Sequence, residues 1–170
     1  MTDAATWTTT GLSASFERLS LHADEWGAHR VMDEGLDLVR DASWADRCHL
    51  FVIGEGGAEL VAARPADDGP GIGHGPLPLD WFPWGLAPVN PRRFVLISDA
   101  TILPSHPGGA LLGDLDVASC LHLPILERQR PVGALHLYWH QTRLQWDDER
   151  GRLLRLLGRF LLGQVPAGQP

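Results

Sequence analysis

The chain has 170 residues, the length of one domain, enough to bury roughly 70 % of its unfolded surface without help from a disulfide or a metal. All 14 of its basic residues are arginine, and the net charge is −7. With no lysine there can be no Schiff-base, P-loop or kinase-type lysine chemistry. Two cysteines, Cys48 and Cys120, are too few for an all-cysteine zinc site or an iron–sulfur cluster, and the acidic balance argues against nucleic-acid binding.

Leu12, Phe16, Leu19, Ala23 and Trp26 recur at spacings of four and three, which predicts one apolar stripe of a helix. Gly27 should end it. Residues 28–42 repeat the pattern with Val31, Met32, Leu36 and Val39 on one side and acids on the other. The period then changes to that of strands at 48–53 and 58–63, joined by Gly54-Glu55-Gly56-Gly57 as a hairpin turn.

Residues 64–91 hold 7 of the 13 prolines and 5 glycines, which predicts a long loop, functional by its length. Its centre, 80–85, is aromatic: Trp81, Phe82 and Trp84 either line a pocket or plug the domain's own core. A strand at 94–97 follows, ending at Ser98-Asp99, then a weak helix near 110–115. Strands at 120–125 and 132–139 are joined by a polar hairpin. A last helix opens at Trp146-Asp147-Asp148-Glu149, where acids suit the positive end of the helix dipole. Leu153, Leu154, Leu157, Phe160 and Leu161 form its buried face, and Pro166 ends it. The expected fold is α+β: a central antiparallel sheet of five to six strands with helices on one face.

Residues 119–125 (SCLHLPI), 131–137 (PVGALHL) and 146–149 (WDDE), followed by a leucine-rich helix, resemble the C-terminal signature of GAF domains. Phe94-Val95-Leu96-Ile97-Ser98-Asp99 is similar to the family's third strand. The resemblance runs from about residue 14 to 164. It implies N- and C-terminal helices on one sheet face and a small-molecule pocket on the other, roofed by loops. It also implies a sensory or regulatory role, with dimerisation through terminal helices. The cyclic-nucleotide pattern of the family needs a lysine and is incomplete here. A covalent bilin at the usual cysteine is excluded, since residues 101–119 hold none; His106 leaves a noncovalent tetrapyrrole as a minor alternative. Gly113 stands where the free methionine-(R)-sulfoxide reductases of the family carry their reactive cysteine, which argues against that enzyme.

Eight histidines raise the question of a metal or haem. His136 and His140 are four apart, so on one strand they lie ~13 Å from each other, too far to share a zinc. A hairpin loop with an odd number of residues, centred on Gln129, would put His122 opposite His136. An even one would send them to different faces. Ser98-Asp99 and Ser105-His106 contain the residue types of a hydrolase triad but lack its Gly-x-Ser-x-Gly elbow, so capping is the simpler role.

The expectation is therefore a noncatalytic GAF-type domain at 12–165, between tails at 1–11 and 166–170, with no metal. Its pocket would draw on Trp81, Phe82, Trp84, Asp99, His106, Cys120, His122 and Trp139, for an unknown small molecule. Trp139 could instead fill that pocket. A dimer interface would use Leu12, Phe16, Leu19, Trp26, Leu157, Phe160 and Leu161, though the same stripe could pack on the domain's own sheet; a signalling protein is the other candidate partner. Association without a ligand is the alternative function. With no basic, apolar leader and no run of ~20 apolar residues, the chain is expected in the cytoplasm, off the membrane.

Overall fold

The computed structural model describes residues 8–66, 76–79, 94–100 and 116–165. Helix α1 (Thr9–His22) is capped by Thr8, whose hydroxyl accepts from the Gly11 N–H at 3.1 Å. Residues 8–11, expected in a tail, are thus part of the helix and its cap. Helix α2 (Ala28–Ser43) buries Val31, Met32, Leu36, Val39 and Ala42, the stripe its sequence carries. It stops at Trp44, in the left-handed conformation at φ 51°. Helix α3 (Asp148–Leu162) starts where Asp147 accepts from the Glu149 N–H at 2.9 Å, with Asp148 and Glu149 in its first turn.

Five strands are described: β1 (Arg47–Gly54), β2 (Gly57–Arg64), β3 (Val95–Ile97), β4 (Ser119–Glu127) and β5 (Arg130–Trp139). They form one sheet in the order β2-β1-β5-β4-β3, every pair antiparallel. This is the α+β architecture expected. The helix near 110–115 and the centre of the long loop lie outside the described residues.

Alternation along the strands divides their side chains between two faces. Cys48 and Leu50 of β1, Leu121, Leu123 and Ile125 of β4, and Leu135, Leu137 and Trp139 of β5 turn to the helices and make one core with Leu36, Val39, Leu154, Leu157 and Leu161. Gly158 lets α3 come close to this face, since a Cβ there would sit 2.8 Å from Ile125 Cδ1 and 2.9 Å from Leu135 Cδ1.

This packing corrects the expected dimer interface. Leu12, Leu19, Leu157 and Leu161 are buried in the chain's own core. Phe16 meets Phe160 edge-to-face at 5.5 Å. Trp26 lies beyond the end of α1, stacked on His22 at 5.0 Å with the Arg30 guanidinium 4.3 Å from a ring centroid. One narrow stripe cannot serve two partners, and the sheet and neighbouring helices take it. Among the described residues, no helix is long and apolar enough to cross a membrane.

Candidate functional site

The second sheet face carries a different chemistry. His49 of β1 pairs with His136 of β5, and His136 pairs with His122 of β4. Three imidazoles therefore stand in one row across three adjacent strands. All are buried, with 0 % of His49 exposed and 3 % of His122 and His136.

A turn and a bulge together set that row. Arg128 and Gln129 both have positive φ, 47° and 69°, the form of a two-residue hairpin turn. Near the turn Glu127 opposes Arg130 and Leu126 opposes Pro131. Continued unchanged, that register would place His122 and His136 on different faces. A register shift between Ile125 and Leu126 moves the pairing by one residue and returns both histidines to one face.

His122 Nδ1 lies 2.9 Å from His136 Nε2, and His136 Nδ1 lies 3.0 Å from the Tyr138 hydroxyl. A neutral imidazole donates through one nitrogen and accepts through the other. The chain Tyr138–His136–His122 therefore has two self-consistent proton arrangements. One places a donor N–H on His122 Nε2; the other runs the opposite way and leaves the Tyr138 O–H as the terminal donor. The His49 ring is 4.8 Å from Tyr138, and the Phe51 ring is 4.7 Å from His136. Small apolar clusters flank the row, with Phe51, Ala58 and Ala134 on one side and Ala100 and Cys120 with Tyr138 on the other.

Burial keeps these groups uncharged at neutral pH. It pulls His122 down to about 4 and His49 down to about 4, the latter helped by the Arg47 cation. It holds His136 well below the usual imidazole range, with the His122 and His49 charges adding to the effect. The Tyr138 phenol is raised, first by burial. Burial also pushes the Cys120 and Cys48 thiols up to about 12, so neither is a thiolate at neutral pH. Among the described residues, no group of three or more His, Cys, Asp and Glu side chains could hold a metal ion.

Of the expected pocket residues, Cys120 and His122 lie on this face. Asp99 is exposed just beyond β3. Trp81, Phe82, Trp84 and His106 lie outside the described residues. Trp139 is a correction. Strand alternation puts it on the helix side with Leu135 and Leu137, where its indole N–H donates to the Ser43 carbonyl at 3.4 Å. His49 and Tyr138 complete this face and lie outside the expected set. The alternation of His49 and Phe51 with Cys48 and Leu50 was a signal for His49, but its alignment needed the pairing of β1 with β5.

A family model described as the GAF domain matches residues 27–161. The chain belongs to the GAF domain family. No curated protein matches the sequence. Among solved structures, this GAF domain is similar to that of an Acinetobacter phosphoenolpyruvate-protein phosphotransferase, at 21 % identity over 89 % of this chain and 90 % of the other, TM-score 0.69. It is also similar to the phycoerythrobilin-bound GAF domain of a cyanobacterial phytochrome, at 14 % identity over 90 % and 94 %, TM-score 0.67. A third likeness is to a domain of a putative two-component sensor histidine kinase protein from Sinorhizobium meliloti, at 18 % identity over 78 % and 86 %, TM-score 0.55. These likenesses concern the fold.

Proposed function

We propose that this GAF domain is a noncatalytic sensory or regulatory module that binds a small molecule over the His49–His136–His122 row. Its output passes to a second copy or to a signalling partner. The carrying observation is the hydrogen-bonded Tyr138–His136–His122 chain, buried on the sheet face away from the helices. A face with a purely structural role needs no row of buried imidazoles, whose desolvation must be offset by hydrogen bonds. Similar folds occur in a sensor kinase and a bilin-bound phytochrome, which supports a sensory role.

The chemistry favours an uncharged ligand group over an ion, because burial holds the row neutral. A ligand that selects one proton arrangement shifts the population towards it. Strands β1, β5 and β4 carry this row on one face and the helix-packed core on the other. A displacement of the row is thereby transmitted to α1–α3.

A thermal-shift panel of nucleotides and metabolites should contain at least one stabiliser, since a ligand of the native state raises apparent stability. In 1H–15N spectra the same compound should perturb the ring nitrogens of His122 and His136. A panel without a stabiliser, or a stabiliser that perturbs only the helix side, rejects the proposal.

A further inference from the structure

The two faces of the sheet are tied together at the joint between α2 and β1. Tyr138 ends the hydrogen-bonded chain on the row side, and the next residue, Trp139, is buried on the helix side. Both are bound to the joint. The Asp46 N–H donates to the Tyr138 carbonyl at 2.9 Å, and the Trp139 indole N–H donates to the carbonyl of Ser43, the last residue of α2, at 3.4 Å. Beyond Trp139, the His140 N–H donates to the Asp46 carboxylate at 2.7 Å. Asp46 therefore grips β5 on both sides of Trp139.

The joint is strained. Trp44, between Ser43 and Asp46, has a φ of 51°, a left-handed conformation that bulky residues rarely adopt and that persists only where the surroundings impose it. The Arg150 guanidinium of α3 lies 4.3 Å from a Trp44 ring centroid. The Trp139 ring lies 5.9 Å from that of Trp146, in the segment entering α3. The joint thus touches the strand of the row, the end of α2 and the start of α3 at once. Strain of this kind collects at switches, because letting it go offsets part of the cost of a second arrangement.

We infer that this joint is a conformational relay with Asp46 as its positioning residue. Held, it fixes α2 and α3 against the end of β5. Released, it lets Trp44 leave the left-handed conformation and the end of α2 shift. A change at the row moves Tyr138 and is read at the helices through the Asp46 contacts. As the route by which a bound molecule is reported, the relay rests on the binding role proposed above; as a coupling within the fold, it does not.

The test is a double-mutant cycle in the full chain. His122, at the far end of the row, and Asp46 are two strands and about three residues apart, roughly 14 Å. Substitutions that distant ordinarily act independently, to within about twofold in the unfolding constant. His122→Leu strips a partner from His136 and should raise the unfolding constant. In an Asp46→Ala background its effect should be about fivefold smaller, because the part carried by the joint is already lost. Glu127→Ala, exposed at the other end of β4, should leave the effect of His122→Leu unchanged within about twofold. In 1H–15N spectra His122→Leu should shift the Trp139 Nε1–H resonance, and should no longer do so in the Asp46→Ala chain. Should His122→Leu fail to fold, His122→Asn, which keeps a polar atom near the Nδ1 position, takes its place with the same expectations. Additive effects of His122 and Asp46, or a Trp139 shift that is absent or survives Asp46→Ala, overturn the relay. No ligand enters the cycle, so that outcome leaves binding to the thermal-shift panel, and a panel without a stabiliser leaves the coupling standing.

Discussion

The two faces of the sheet come from the same strands and bury the same kind of surface, yet they are built from different chemistry. On the helix side, Leu50, Leu121, Leu123, Leu135 and Leu137 meet Leu154, Leu157 and Leu161 in a continuous apolar core. On the other, the matching positions place His49, His136 and His122 in a row with Tyr138 beside it. The apolar face gains stability from area and close packing and is tolerant of which apolar group supplies it. The polar face gains little net stability, but every member must keep its partners, so it is costly to disturb piecemeal. That contrast is the physical reason for proposing the second face, and not the first, as the binding face.

Acid should separate the faces most strongly. The buried histidines stay neutral in the folded chain, with His49 and His122 near 4 and His136 also lowered. In the unfolded chain they titrate at the ordinary ~6.5. The unfolded state therefore binds more protons as pH falls below ~6.5, and stability drops until the folded groups titrate as well. The loss is up to about 1.4 kcal/mol per pH unit for each histidine, large against the ~5–15 kcal/mol of a typical domain. Urea unfolding between about pH 7 and pH 4.5 measures it. A stability that stays flat across this window would mean that the row does not hold its imidazoles neutral.

Next comes the core. Leu157→Ala should cost about 2–5 kcal/mol by opening a cavity under α3. Leu156→Ala, one residue away and largely exposed, should stay within about 0.5 kcal/mol. Equal unfolding midpoints for the two variants would contradict the division of α3 into a buried and a solvent side.

The smallest effect tests the polar face by partial against complete removal. His136→Phe takes the hydrogen-bond partner from His122 Nδ1 and from the Tyr138 hydroxyl and should cost about 1–3 kcal/mol. Replacing the whole chain, with His122→Leu, His136→Leu and Tyr138→Phe together, should recover much of that loss, because no member of the pairs is left behind. A triple variant less stable than the single one would show that the row contributes through more than mutual satisfaction.

Much of the fold was legible because its signals are local. The stripe Val31, Met32, Leu36 and Val39 gave α2, and Asp147 ahead of an acidic first turn marked the start of α3. The strands at 119–127 and 130–139 carried the family resemblance as well as their own alternation. The site was only half legible. His122 and Cys120 lie on the expected face, but Trp139 lies on the opposite one, and His49 joins the row only through the pairing of β1 with β5. The aromatic run at 81–84 is a local signal, whereas the meaning of these positions depends on pairing. The helix stripe was equally visible and equally ambiguous, because Leu12 and Leu19 look the same whether they meet a second chain or their own core.

By itself the sequence determined the secondary elements, the family and the lysine-free chemistry, since periodicity, capping and composition are properties of short segments. Tertiary structure decided which side chains meet. A two-residue turn followed by a one-residue shift brings His122 opposite His136, and the pairing of β1 with β5 adds His49 from far away in the chain. Register has a period of two, so one residue of bulge reverses every face assignment beyond it. No count along a single strand can supply that residue, because it is set by the fit of whole strands against a core.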